Sequence, residues 1–365
     1  MTLAKSDTLQ ALRAVAALLV VFDHAILNMV RQGNLPETLA PVAHRAGAAG
    51  VYVFFVISGY IMAATTRDAR GPHAMRDFML RRALRIAPLY YLATLVYAAR
   101  LTLGGRLPDT GEFLRSFLFI PYFNDDLILS PILGPGWTLN FEMYFYLVFA
   151  VALLFARPIG LAGIILFFVM SIALGAALGW QDPSVGVFPY FLTNPIIAYF
   201  VLGIVVQLLR QHFVQSVVAV AWTRGLGLLA LLALAILIAI TLPGLWFGLS
   251  MLVVAPALVA VAATGSSTAL GRAEATAVRL GDASYSIYLT HSFVVGPLAT
   301  LYALSRLGAA GAPLFVLACL VACALAGILC YRWVEKPLLD VFNVRRWLRS
   351  PKPGRLTISD PGAVP

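Results

Sequence analysis

Ten runs of about 20 apolar residues, each closed by a short polar or basic break, set the pattern of this chain. They cover residues 9–30, 47–66, 82–101, 137–155, 159–179, 189–209, 225–242, 246–264, 284–304 and 313–333. A membrane-spanning β-barrel needs segments of about ten residues with alternating polarity, whereas these runs are continuous and twice that length. The pattern predicts an all-α polytopic membrane protein with about ten transmembrane helices. Residues 1–337 form one membrane domain, and residues 338–365 form a basic cytoplasmic tail. The longest break, 102–136, carries aromatic and acidic residues and is expected to fold over one mouth of the bundle.

Composition removes the soluble alternatives: the chain is 61% hydrophobic and 12% charged, with a mean hydropathy of +0.88. Basic residues then orient it. With a cytoplasmic N-terminus, the inner loops hold Arg67, Arg70, Arg76, Arg81, Arg157, Arg210, Arg224, Arg272 and Arg279, and the tail adds Lys336, Arg345, Arg346, Arg349, Lys352 and Arg355. The outer loops hold Arg31, Arg45, Arg106, Arg115 and Arg306, diluted by Asp109, Glu112, Asp125 and Asp126. The bias places both termini in the cytoplasm. It also accounts for the formal net charge of +10 without a nucleic-acid partner, anionic lipid headgroups being the secondary one. The first run is too long, and too interrupted by Arg13 and His24, for a cleaved signal core, so it is expected to be retained. Cys319, Cys323 and Cys330 share one stripe of the last run and are read as small packing residues, with no disulfide or metal implied. No internal repeat of the kind that marks inverted-topology transporters is evident.

Chemistry-bearing residues stand out because they interrupt apolar runs. Arg13 and His24 are eleven residues apart, about three turns plus 20°, so they project from nearly one face about 16 Å apart along the axis. Ionisable groups in a membrane segment face a bundle interior or a wet cavity. Counting from the run ends puts His24 and Glu142 at similar depth, about 8–9 Å below the outer boundary. Two readings stay open. Either the helices are neighbours and the carboxylate orients the imidazole as a general base, or each group is satisfied separately by backbone. At the inner end of the third run, Arg82 and Arg85 share a face, and Arg13 lies at comparable depth. Three guanidiniums at one mouth suit a multiply phosphorylated ligand. The plainer reading is lipid-phosphate snorkelling, which covers Arg67, Arg70 and Arg76 better than Arg13 and Arg85. Ser58 with Gly59 and Tyr60 gives a close-approach surface with a polar handle. Tyr285 and His291 bring polar groups into the ninth run, and Trp333 to Pro337 closes the last one with boundary anchors.

Taken in order, these pieces resemble the membrane-bound acyltransferase family 3, and within it the exopolysaccharide O-acetyltransferases. The matching stretches are Arg13-x10-His24, Phe54-Phe55-Val56-Ile57-Ser58-Gly59-Tyr60, Arg82-x-x-Arg85-Ile86-x-Pro88-x-Tyr90, Gly136-Trp137-Thr138-Leu139-x-x-Glu142-x-x-Phe145-Tyr146, Ser284-Tyr285-Ser286-Ile287-Tyr288-Leu289-x-His291 and Trp333-x-Glu335-Lys336-Pro337. The resemblance implies a multi-pass protein of the bacterial inner membrane. It would move an acyl group, usually acetyl, from cytoplasmic acyl-CoA (acetyl-CoA) to a hydroxyl of a glycan on the outer side. The acceptor would be an exopolysaccharide, an O-antigen or a lipid-linked oligosaccharide. On that reading His24 is the general base, oriented by Glu142; Arg13, Arg82 and Arg85 hold the phosphates of the co-substrate; and Ser58, Tyr60, Trp137, Tyr285 and His291 line the path. No permanently bound cofactor and no metal is expected. The competing reading is a transporter or flippase of a lipid-linked glycan, in which Arg13 and His24 relay protons or contact substrate.

Overall fold

The computed structural model describes residues 7–217, 221–264, 272–305 and 307–341. The ten apolar runs fold mainly as helix, in α1 (Asp7–Arg31), α2 (Ala40–Thr65), α3 (Pro72–Leu103), α5 (Gly136–Ala152), α6 (Arg157–Leu178), α8 (Ala198–Val217), α9 (Ala221–Thr241), α10 (Gly244–Ala263), α12 (Ser284–Ser305) and α13 (Ala312–Cys330), the sixth run being interrupted at Thr193 and Asn194 before α8 begins. Short helices join them: α4 (Thr110–Phe117), α7 (Val187–Leu192), α11 (Arg272–Asp282) and α14 (Lys336–Val341). Among the described residues there is no strand, only an isolated bridge between Phe123 and Leu129. Eight helical segments are long and apolar enough to cross a membrane. Among the rest, α5 has 17 residues and α9 contributes the shorter apolar stretch Gly227–Thr241. Arg306 and the tail from residue 342 on, with Arg345, Arg346, Arg349, Lys352 and Arg355, lie outside the described residues, as do the side chains of Arg224 and Arg272.

Lipid tails are as apolar as leucine, so helices associate here through close packing of small residues. The α1 stripe Ala17, Val21, Ala25 and Met29 is fully buried against Ile287, Val295 and Ala299 of α12 and Phe315, Cys319 and Cys323 of α13. On its other side α1 meets α2, where Gly47 lies against the Asp23 side chain and Gly50 against the Ala16 carbonyl. Helix α2 in turn packs on α8 through a mutual glycine contact. A Cβ on Gly59 would strike the Phe200 carbonyl, and one on Gly203 would strike the Val56 carbonyl. Backbone cannot move aside as a side chain can, so Gly59→Leu is expected to destabilise the bundle by about 1–3 kcal/mol or more. Thermal unfolding of the purified variant checks this, and a wild-type midpoint would contradict it.

The break between α3 and α5 does more than cover a mouth. Asp109 caps α4 through the Glu112 amide at 2.8 Å. Beyond α4, Ser116, Tyr122, Ile132 and Leu133 are buried, and the Ser116 hydroxyl accepts from the Ile132 amide at 3.1 Å. The segment enters the bundle, and α5 starts deep inside it. Tyr288, four residues into α12, donates to the carbonyl of Pro135 at 2.9 Å. The N-terminus of α5 is therefore buried inside the bundle beside α12 rather than at its surface.

Candidate active site

A cavity of 120 Å³ lies between α1, α2, α3, α5 and α12. Arg13, Arg82, Arg85, Ser58, Glu142 and Tyr285, six of the ten residues singled out from sequence, line it together with Tyr146, Ser284 and Tyr288. Glu142 accepts from the Ser58 hydroxyl at 3.2 Å and, by a shorter bond, from the Tyr146 hydroxyl. The Arg82 guanidinium lies over two rings, 5.6 Å from Phe78 and 5.8 Å from Tyr146, which fixes the plane of its fork. Arg13 donates to Gln10 at 3.2 Å, and the charges acting on it are Arg85, Glu142 and Glu335. Tyr285 donates to the Ile86 carbonyl at 2.7 Å, tying α12 to α3 beside the arginines.

Glu335 belongs to this cluster, a role the sequence reading missed. Its carboxylate is 1% exposed, accepts from Ser286 at 2.6 Å, and has Arg85 and Arg13 among the charges acting on it. The helix is locally widened to a π turn at Tyr331–Glu335, a distortion found mostly at functional sites. The usable signal was a lone carboxylate two residues after a tryptophan at the end of the most apolar helix. The reading spent it on boundary anchoring. Three guanidiniums thus share two carboxylates. Arg82 Nε, Ser284 Oγ and Glu335 Oε1 are buried with no hydrogen-bond partner among the described residues. Native interiors rarely leave such groups unmatched, so these atoms are open to a polar guest.

The histidines lie away from the arginine cavity. His24 and His291 meet edge to face, with ring centroids 4.5 Å apart and planes at 74°. His24 Nδ1 is 3.0 Å from the Val20 carbonyl, and His291 Nδ1 is 2.5 Å from that of Tyr288. A carbonyl only accepts, so each Nδ1 carries its proton and each Nε2 presents a lone pair. His291 is fully buried and its Nε2 has no hydrogen-bond partner among the described residues, whereas the His24 side chain is 40% exposed. Tyr288 bridges the two regions. It lines the cavity, its hydroxyl meets Thr138 at 2.8 Å, and its ring centroid is 6.0 Å from that of His291.

The expected pairing of His24 with Glu142 is therefore corrected. Among the described residues no hydrogen bond or ion pair joins them; the Val20 carbonyl and His291 stand where Glu142 was placed. The depth count failed because α5 starts inside the bundle. Glu142 sits at the level of Arg13, and His24 lies about 16 Å further along α1. The carboxylate near the imidazole is that of Asp23, 3.7 Å from His24 Nδ1 and 3.6 Å from His44. Two path residues are also relocated. Tyr60 is buried at the α2–α8 contact and lines neither cavity, and Trp137 faces a second cavity on the other side of α5.

Comparison with known proteins gives the family. Residues 7–332 match an acyltransferase domain, that of acyltransferase family 3. The chain is 33% identical to the exopolysaccharide production protein ExoZ of Rhizobium meliloti (strain 1021) over 82% of this chain and 92% of that one. It is 26% identical to the acyltransferase MdmB of Streptomyces mycarofaciens over 93% of each. No solved structure matches.

Proposed function

The chain belongs to acyltransferase family 3 and is a multi-pass membrane O-acyltransferase; from that premise we propose that it carries an acetyl group from cytoplasmic acetyl-CoA, through the bundle, to a hydroxyl of an extracytoplasmic glycan. One observation carries the reading. A cavity with an excess of guanidinium over carboxylate lies at one level of α1, and a pair of imidazoles with free Nε2 atoms lies at another. Coenzyme A has the same polarity, with phosphates at one end and a thioester at the end of a slender arm. Arg13, Arg82 and Arg85 hold its phosphates through forked, charge-assisted bonds. The 120 Å³ cavity has room for the diphosphate and the head of the arm and leaves the adenosine outside, and Tyr288 flanks the route to His24.

In the reaction, the acceptor hydroxyl gives its proton to His24 Nε2 as its oxygen attacks the thioester carbonyl carbon. The carbon–sulfur bond then breaks, the ester remains on the sugar, and the imidazolium returns the proton to the departing thiolate. No covalent acyl-enzyme is needed. The Val20 carbonyl holds the tautomer that leaves Nε2 free. Glu142 shares the cavity with the arginines instead, where its charge limits their mutual repulsion.

Losing one guanidinium should weaken donor binding more than turnover. Arg85→Gln is expected to raise KM for acetyl-CoA about 10–100-fold, because a hydrogen bond to a charged group contributes about 1.5–3 kcal/mol, with kcat little changed. A fall in kcat at constant KM would contradict the assignment. The reading as a whole is tested on cells carrying wild type, His24→Ala or no protein, matched for membrane expression, by measuring ester content of surface and extracellular glycans. An ester present only with wild type is the expected result. Equal ester in all three with a changed amount of surface glycan would overturn it in favour of glycan transport.

A further inference from the structure

The second cavity, of 760 Å³, has no part in the chemistry above. It is walled from the arginine cavity by α2 and α5. Along α5, Trp137 and Phe141 face it while Thr138 and Glu142 face the arginines; along α2, Tyr52 faces it while Val51 faces the other way. It opens on the face that carries the 104–135 connection. Asp126 of that connection, Asn194 of the break between α7 and α8, and the first turn of α10 all border it. By helix alternation this is the face on which α1 ends, seven residues beyond His24.

Its lining combines flat aromatic surface with unpaired polar edges. Tyr52 and Tyr199 stack with ring centroids 4.0 Å apart and planes at 10°, and Trp137 and Tyr190 add two more rings. The Asp126 carboxylate has no hydrogen-bond partner among the described residues. Asn194 uses its Oδ1 on the Ile196 amide at 3.0 Å, leaving its two N–H groups for a guest. Beside Asp126, Leu127 is held at φ 57, a left-handed conformation costly for a branched side chain and concentrated at binding sites.

We propose that this cavity is a saccharide subsite, holding a sugar of the acceptor one or more units removed from the one that is acylated. Pyranose rings have an apolar C–H face, which lies on aromatic rings, and a rim of hydroxyls, which an aspartate and an asparagine amide satisfy. Its volume falls in the range of small-molecule sites. A hydrocarbon chain fits it less well, because covering the half-buried Asn194 with methylenes leaves its amide N–H groups unsatisfied. The contrast is nearby: a 390 Å³ groove between α8 and α10 is lined by Leu202, Val253 and other aliphatic residues, and is the surface a lipid chain would choose. One helix separates the subsite from the α1 side of the bundle, a spacing of about 10 Å. A subsite beyond the reacting sugar lets the enzyme select a polymer rather than a free monosaccharide.

The inference rests on the glycan-acceptor reading, and the test separates the two. The probe is surface polysaccharide of the host, de-esterified with alkali and cut to oligosaccharides. It is titrated by calorimetry against the full-length protein in lipid nanodiscs, without acetyl-CoA, for wild type, Trp137→Leu and Asp126→Asn. Asp126 is exposed on a loop, so its substitution leaves the fold intact. Both variants are expected to bind at least tenfold more weakly than wild type, with short fragments binding worse than long ones. Wild-type affinity in both, or no binding by wild type where cells still gain the ester, overturns the subsite and leaves acyl transfer standing. Binding that depends on both residues in a protein that forms no ester supports the subsite and removes the transferase reading. Variants that instead lose co-purified lipid overturn it as well.

Discussion

His24→Ala is expected to lower kcat for acyl transfer by about 10²–10⁴-fold, the usual contribution of a positioned general base, while the protein still folds and still binds acetyl-CoA. Three features place the effect there. The Val20 carbonyl fixes the proton on Nδ1 and leaves Nε2 basic. The side chain is 40% exposed, so an acceptor can reach it, whereas His291 is fully enclosed. The arginines lie about 16 Å away along α1, the separation a phosphate-anchored thioester needs to span. Edge contact with His291 sets the ring plane of His24. His291→Phe keeps ring bulk and removes Nε2, and is expected to cost less than His24→Ala. Single-turnover kinetics with radiolabelled acetyl-CoA, on variants of matched thermal stability, checks both. Wild-type turnover in His24→Ala would move the base elsewhere.

The second large effect is on stability. Glu142→Leu is expected to destabilise the bundle by about 1–3 kcal/mol, the cost of leaving buried hydroxyls without their acceptor, with the loss of a negative charge near Arg13 and Arg82 adding to it. Three guanidiniums would then face Glu335 alone, and the Ser58 and Tyr146 hydroxyls would lose their shared acceptor. Against a total stability of about 5–15 kcal/mol this is enough to deplete folded protein in the membrane. Glu142→Gln keeps an acceptor for both hydroxyls and is expected to cost about half as much. Thermal unfolding of the three proteins in one detergent decides it. A Leu variant as stable as wild type would show that the arginines do not depend on this carboxylate.

What the sequence made legible, and what it hid, follows from the range over which each signal acts. The apolar runs were readable because spanning length and hydropathy are local properties, and all ten fold mainly as helix. The arginine cluster was readable because Arg13, Arg82 and Arg85 each interrupt an apolar run near the same boundary, so depth alone brings them together. Glu142 was assigned the wrong neighbour. Its depth was counted from the start of α5 as if that start lay at the membrane surface, and nothing local says that Ile132, Leu133 and Pro135 enter the bundle first. Trp137 was placed on the wrong side of α5 for a related reason: in a helix buried on several faces, periodicity does not say which face meets which cavity. Glu335 was overlooked because a carboxylate at a helix end has a ready surface explanation. Only tertiary packing shows that the π turn carries it inward to Ser286. The contact between His24 and His291 joins helices 267 residues apart in the chain and left no local trace.

In the proposed reaction the donor enters at the arginine face and the ester forms at the opposite one. The most direct test uses sealed inside-out membrane vesicles that carry the protein and enclose de-esterified polysaccharide, with acetyl-radiolabelled acetyl-CoA supplied only outside and ionophores collapsing every ion gradient. Alkali-labile label on the enclosed polysaccharide, absent with His24→Ala, is the predicted result. Enclosed polysaccharide that stays unlabelled, or gains label only while a gradient is maintained, would contradict it.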